Sequence, residues 1–209
     1  PPDGGSVRVA GTDVYGSSRE ELQALRRRIG VTFQSGALLN SMSLAENVAL
    51  PLEYHTELDD ETIATMVKIK LQQVGLLEAA DLRPAEVSGG MKKRAAVARA
   101  LAMDPEILFY DEPSAGLDPI ATARFDRLIN DLKTGMGITS VVVTHEMESV
   151  RRIADHVLLQ HRGQVLLDGS LDDLLQSTEP RIQRFVDGDL DALAVAPASI
   201  AAYHRDLLM

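Results

Sequence analysis

The apolar run Ile107-Leu108-Phe109-Tyr110 stops on two carboxylates, Asp111-Glu112, and then on Pro113. A turn, Ser114-Ala115-Gly116-Leu117-Asp118, follows, and Pro119 is placed to open a helix. A buried strand that ends in acids and feeds a helix leaves few folds open. In parallel sheets, ligands collect outside the carboxyl ends of the strands. Two further runs end the same way: residues 139–144 stop at His145-Glu146, and residues 29–33 stop at Gln34. Strands alternate with helices through residues 105–160, which predicts an α/β fold with a parallel sheet. The β-branched run at 139–144 reads as a strand buried on both faces.

Around that sheet the chain is punctuated by helix signals. Ser18 with Glu21, and Ser43 with Glu46, have capping-box spacing. Asp59-Asp60 opens a longer helix with Ile63, Met66, Val67, Ile69 and Leu71 on or near one face. Residues 81–87 read as a loop. A helix over 90–103 carries Lys92, Lys93, Arg94 and Arg99, which read as a solvated face rather than a phosphate patch. The helix from Pro119 runs to about Leu132 and is ended by Gly135 and Gly137. Residues 157–159 and 165–167 form an antiparallel pair turned at Arg162-Gly163, and 170–176 is a short helix. The expected organisation is one domain: a helical subdomain at 38–104, a RecA-like core at 105–177 and a C-terminal extension at 178–209.

Composition narrows the function. A net charge of −10 over 209 residues argues against a nucleic-acid partner, which needs a basic face. There is no cysteine, hence no disulfide. No apolar run reaches the roughly 18 residues that span a bilayer. The chemistry therefore rests on the strand ends. Asp111 is placed to hold Mg²⁺ through retained waters, because that ion dehydrates reluctantly. Glu112 is placed to position and deprotonate an attacking water. Ser88-Gly89-Gly90 opens a helix whose free N–H groups and positive dipole end suit a phosphate.

Taken in order, Gln34, Ser88-Gly89-Gly90-Met91, Asp111-Glu112, Ser114 to Asp118, and Thr144-His145 resemble the ATP-binding subunits of ABC transporters. The resemblance makes Ser88, Gly89 and Gly90 the signature, Asp111-Glu112 the end of the Walker B strand and Ser114 to Asp118 the D-loop. The usual signature is Leu-Ser-Gly-Gly-Gln, and here Val87 and Met91 stand at its ends. It implies ATP and Mg²⁺ as cofactors, with Gln34 and Asp111 at the metal. Glu112 and His145 become the catalytic residues, His145 touching the transferred phosphate. Gln34, Ser88, Gly89, Gly90, Asp111 and Asp118 become the nucleotide-contacting set. Two ATPase subunits are implied head to tail, each signature meeting the partner's nucleotide, and the Gln34 loop touching membrane subunits.

The fold implied is a P-loop NTPase-like parallel sheet core with a helical subdomain and a small antiparallel β part. No Gly-x-x-x-x-Gly-Lys-Ser/Thr occurs, however. Residues 1–11 resemble the strand that follows the P-loop helix, so the first P-loop unit, roughly 50 residues, is expected to be missing and the fragment inactive alone.

The run from Ser88 to Ala100 and the segments 179–188 and 203–208 resemble the Mla-type ATPases that move phospholipid with MCE proteins. That branch implies a membrane permease, an MCE-type lipid-binding protein and a small STAS-domain protein as partners. It also implies a peripheral place on the cytoplasmic face of the inner membrane. Another ABC importer or exporter, or an inactive interaction subunit, is the alternative; the presence of both Glu112 and His145 speaks against inactivity. The interval from Gln34 to Ser88 is too short for the coiled coil of a chromosome ATPase. Ile182, Phe185 and Val186 fall on one helix face. With Tyr203, Leu207 and Leu208, they are expected to cover a second subunit or a small partner, folding back on their own domain being the other outcome.

Overall fold

The computed structural model describes residues 2–188. It divides into a compact unit ending at Glu146 and a second beginning at Met147. The first unit opens with β1 (Arg8–Val9) and β2 (Thr12–Asp13), an antiparallel hairpin turned at Ala10-Gly11, both at positive φ. Then come α1 (Arg19–Arg27), β3 (Ile29–Thr32), α2 (Leu44–His55), α3 (Asp60–Gln73) and α4 (Gly89–Ala100). β4 (Ile107–Asp111), α5 (Pro119–Met136) and β5 (Thr139–Val143) complete it. Both capping boxes form: Ser18 and Glu21 start α1, and Ser43 and Glu46 start α2.

β3, β4 and β5 form one parallel sheet in that order, with Thr32 level with Tyr110 and Tyr110 level with Val142. The helices α2 to α4 are therefore an insertion between two neighbouring strands. Leu44, Val48, Leu52, Leu71, Val97 and Leu101 fill the space among these helices. α4 also packs on β3, and the fit there demands a glycine. A Cβ on Gly30 would lie 2.6 Å from both the Ala100 carbonyl oxygen and a Leu108 methyl, closer than any side chain tolerates.

Four expectations change. The strand β5 is not buried on both faces: Val141 is 39% and Val143 59% exposed. Helices α4 and α5 cover only the sheet face of Gly30, Leu108 and Tyr110, where Tyr110 meets Phe125 edge to face. The opposite face, with Val31, Phe109 and Val141 in register, is open. Helix α5 passes Leu132 and Gly135 and stops only where Gly137 turns left-handed (φ 67). In α3, Ile63, Val67 and Leu71 are buried, but Ile69 is exposed, because 3.6-residue periodicity rotates it off that stripe. The loop 81–87 contains a 3₁₀ turn at Pro84–Glu86.

The second unit contains α6 (Met147–Ile153), the antiparallel pair β6 (Val157–His161) and β7 (Gln164–Gly169), α7 (Leu171–Gln176) and α8 (Pro180–Val186). Arg162-Gly163, both at positive φ, makes the hairpin turn. Helix α8 lies on α7, and Ile182 is buried there beside a buried Leu174. Ile182 is thus used within its own unit, which corrects its expected place against a partner; Phe185 and Val186 are half-buried. Tyr203, Leu207 and Leu208 lie outside the described residues.

Candidate functional site

The parallel register brings three sequence-predicted strand ends together. Gln34 follows β3 and is exposed, Asp111 is the exposed last residue of β4, and Thr144-His145 follows β5. Glu112, next after β4, is the most built-in of them. Its N–H donates to the Val143 carbonyl at 2.9 Å, anchoring it to the end of β5. Its Oε1 meets His145 Nδ1 at 2.8 Å, while its Oε2 is buried and takes no hydrogen bond from the described residues. One carboxylate oxygen is held by an imidazole, which fixes the aim of the group, and a carboxylate so aimed can serve as a proton acceptor.

The Glu112 side chain is 20% exposed and that of His145 65%. The hydrogen bond to Glu112, and then the negative charge of Glu112, hold the His145 pKa above its ordinary 6.5 against a small opposing effect of burial. A raised cation pKa means that the pair's stabilisation is complete below about pH 6.5 and lost as pH rises through the raised value. In the wild-type chain, NMR titration is expected to place His145 above 6.5. In Glu112→Gln it is expected to fall back toward 6.5. A His145 that titrates identically in both chains would show that the contact carries no charge coupling.

Among the described residues, no three His, Cys, Asp or Glu side chains converge into a metal cage. Asp111 and Gln34 alone suit an ion that keeps most of its waters, as Mg²⁺ does. Ser88 is the N-cap of α4, its Oγ accepting from Met91 N–H at 3.2 Å. Ser88 and Gly89 are exposed, and a Cβ on Gly89 would meet nothing within 4 Å. Gly90 faces Leu117 of the turn that follows the acids. Asp118 Oδ1 caps α5 by accepting from Ile120 and Ala121 N–H, each at 2.9 Å. Ser114 is buried, with no partner for its hydroxyl among the described residues.

Three of the four basic residues of α4 named above are tied down rather than left on a solvated face. Lys93 Nζ donates to the Glu112 carbonyl at 3.2 Å. Arg94 donates to the Val74 and Gly75 carbonyls. Arg99 donates to the Gly36 and Ala37 carbonyls at 3.0 and 2.8 Å, gripping the loop that begins at Gln34. Asn47, fully buried in α2, exchanges hydrogen bonds with both the N–H and the carbonyl of Leu39 and also donates to Ser43. The sequence pointed to none of these clamps. A cation that ends on a distant carbonyl has no local spacing signature; a buried-side Asn just inside a capped helix is the one hint it offered.

Residues 1–115 match the family described as ABC transporter. Over 207 residues the chain is 40% identical to the intermembrane phospholipid transport system ATP-binding protein MlaF of Escherichia coli (strain K12). That alignment covers 99% of this chain and 77% of that protein. It is 41% identical over 187 residues to the probable ribonucleotide transport ATP-binding protein mkl of Mycobacterium leprae (strain TN), covering 90% of this chain and 54% of that one. In structure it resembles the ATP-binding cassette MJ0796 in a dimeric post-hydrolysis state bound to ADP and Pi. The TM-score is 0.72 at 30% identity, over 81% of this chain and 75% of the other.

Proposed function

The chain belongs to the ATP-binding proteins of ABC transporters, and from that premise we propose that it hydrolyses ATP to drive phospholipid transport in an MCE-type system. The observation that carries the hydrolytic role is Glu112, held by His145 through one carboxylate oxygen at the carboxyl end of a parallel sheet. Glu112 takes the proton of the attacking water. His145 orients the carboxylate and reaches the transferred phosphate. Gln34, after β3 on the other side of β4, helps to place the water. Asp111, through water, and Gln34 would hold a Mg²⁺ ion, which when bound neutralises charge on the phosphate oxygens. Ser88, Gly89 and Gly90 offer an exposed helix start to the phosphates of a second copy's nucleotide, placing two subunits head to tail. Asp118 holds the start of α5 next to that junction.

The P-loop needed for turnover is not in these 209 residues. The open face of Val31, Phe109 and Val141 and the outer edge of β5 suit a further strand and helix that carry it. By themselves the 209 residues are therefore inactive. Residues 38–104 act as the helical subdomain that presents the signature, 105–177 as the core, and 178–209 as an extension.

No helix among the described residues is long and apolar enough to cross a membrane. In this reading a separate permease supplies the path. The place for it is a cleft of about 500 Å³ beside the Gln34 loop, lined by Arg26, Arg27, Phe33, His55 and Arg99. Basic groups over apolar ones suit an acid-bearing, apolar segment of a permease. That contact holds the chain on the cytoplasmic face of the inner membrane, with an MCE-type protein and a small STAS-domain protein completing the system.

The support for phospholipid is the 40% identity over nearly the whole chain to a phospholipid transport ATPase. The test is to co-express the P-loop-containing chain with its permease and MCE subunit, purify the complex and place it in phospholipid vesicles. Labelled phospholipid should move only with ATP, and a chain with both Arg26→Glu and Arg27→Glu should fail to copurify the permease. A complex that forms and hydrolyses ATP but moves no phospholipid would assign the chain to another substrate.

A further inference from the structure

Glu112 stands in a left-handed backbone conformation, φ 44, that costs a residue with a Cβ about 1–2 kcal/mol. Such a conformation persists where its surroundings over-determine it. Three hydrogen bonds do so here. The Glu112 N–H donates to the Val143 carbonyl at 2.9 Å, and the Glu112 carbonyl accepts from the Ala115 N–H at 3.2 Å and from Lys93 Nζ at 3.2 Å. The first belongs to the sheet edge and the second to the turn. Only the third comes from a side chain, and that side chain projects from α4, little more than one turn from Ser88 at its start.

We propose that Lys93 is a positioning residue for Glu112: by holding that residue's peptide it fixes the aim of the carboxylate and ties it to the placement of the Ser88 helix. This rests on the reading of Glu112 as the proton acceptor. Arg94 and Arg99 of α4 cannot substitute for it, since they are spent on the carbonyls of residues 74–75 and 36–37. Burial pushes the Lys93 ammonium toward its neutral form, while the charges of Glu112 and Glu146 pull it back. A shift of the Ser88 helix moves Lys93 with it and loosens or tightens the Glu112 peptide. Arrival of a ligand at Ser88 is thus felt at the acid through one rigid element.

The experiment compares Lys93→Met and Lys93→Arg in the P-loop-containing chain that hydrolyses ATP, each also combined with Glu112→Gln. Lys93→Met should lower kcat about tenfold and leave the KM for ATP within about twofold, the mark of a lost alignment rather than lost binding. Lys93→Arg, which keeps a donor, should recover most of the kcat. In the Glu112→Gln background, Lys93→Met should lower the residual turnover no further. Wild-type kcat in Lys93→Met, a loss that Lys93→Arg does not recover, or an equal loss in both backgrounds overturns the proposal. If Glu112→Gln alone hydrolyses ATP normally, the reading of Glu112 fails first, and the two failures are told apart by that single variant.

Discussion

Glu112→Gln is expected to leave ATP binding intact in the P-loop-containing chain and to lower turnover by ~10²–10⁴, roughly 3–5 kcal/mol of barrier. The substitution keeps the side-chain length and shape, so the left-handed backbone at residue 112 and its bond to the Val143 carbonyl are retained. An amide can still meet His145. What disappears is a negative oxygen able to take a proton, since the buried Oε2 becomes part of a neutral group. The measurement is steady-state phosphate release beside equilibrium nucleotide binding. Release within a few-fold of wild type would remove Glu112 from the role of base.

Ser88→Arg is expected to abolish hydrolysis while nucleotide binding to the single chain survives. The serine is exposed, and its surroundings in its own chain are a helix cap and open space rather than the strand ends. Losing the cap costs α4 about 1 kcal/mol, too little to unfold a helix whose Ala95, Ala96, Val97 and Ala98 are buried. The added guanidinium is instead expected to block the place proposed for a second copy's nucleotide at the helix start. A Ser88→Arg chain that melts near the wild-type temperature yet hydrolyses ATP normally would show that this helix start contacts no nucleotide.

Much of this site was legible because its chemistry is local in sequence. An acid pair at the end of an apolar strand, a Ser-Gly-Gly helix start, and Gln34 and His145 at strand ends each carry their own spacing, and the parallel register then aligns the three strand ends. Both capping boxes and the Arg162-Gly163 turn were legible for the same reason. What the sequence hid is long-range. β5 reads as doubly buried because its residues are β-branched, but exposure depends on which helices cover the sheet, and α4 and α5 cover one face only. Lys93 and Arg99 read as surface charge because their partners are backbone carbonyls of residues 112, 36 and 37. Ile182 read as an orphan because its neighbour α7 looked like the end of the fold.

One hydrolytic site is expected to take Glu112 from one chain and Ser88 from another. Mixing Ser88→Arg chains with Glu112→Gln chains tests it directly, since each variant is inactive alone but a mixed dimer rebuilds one intact site. In a two-fold symmetric pair, random mixing yields about half mixed dimers, each with one good site of two, so about a quarter of wild-type turnover should return. If mixed dimers are shown to form and no turnover returns, Glu112 and Ser88 serve the same chain's site and the account of a shared one is wrong.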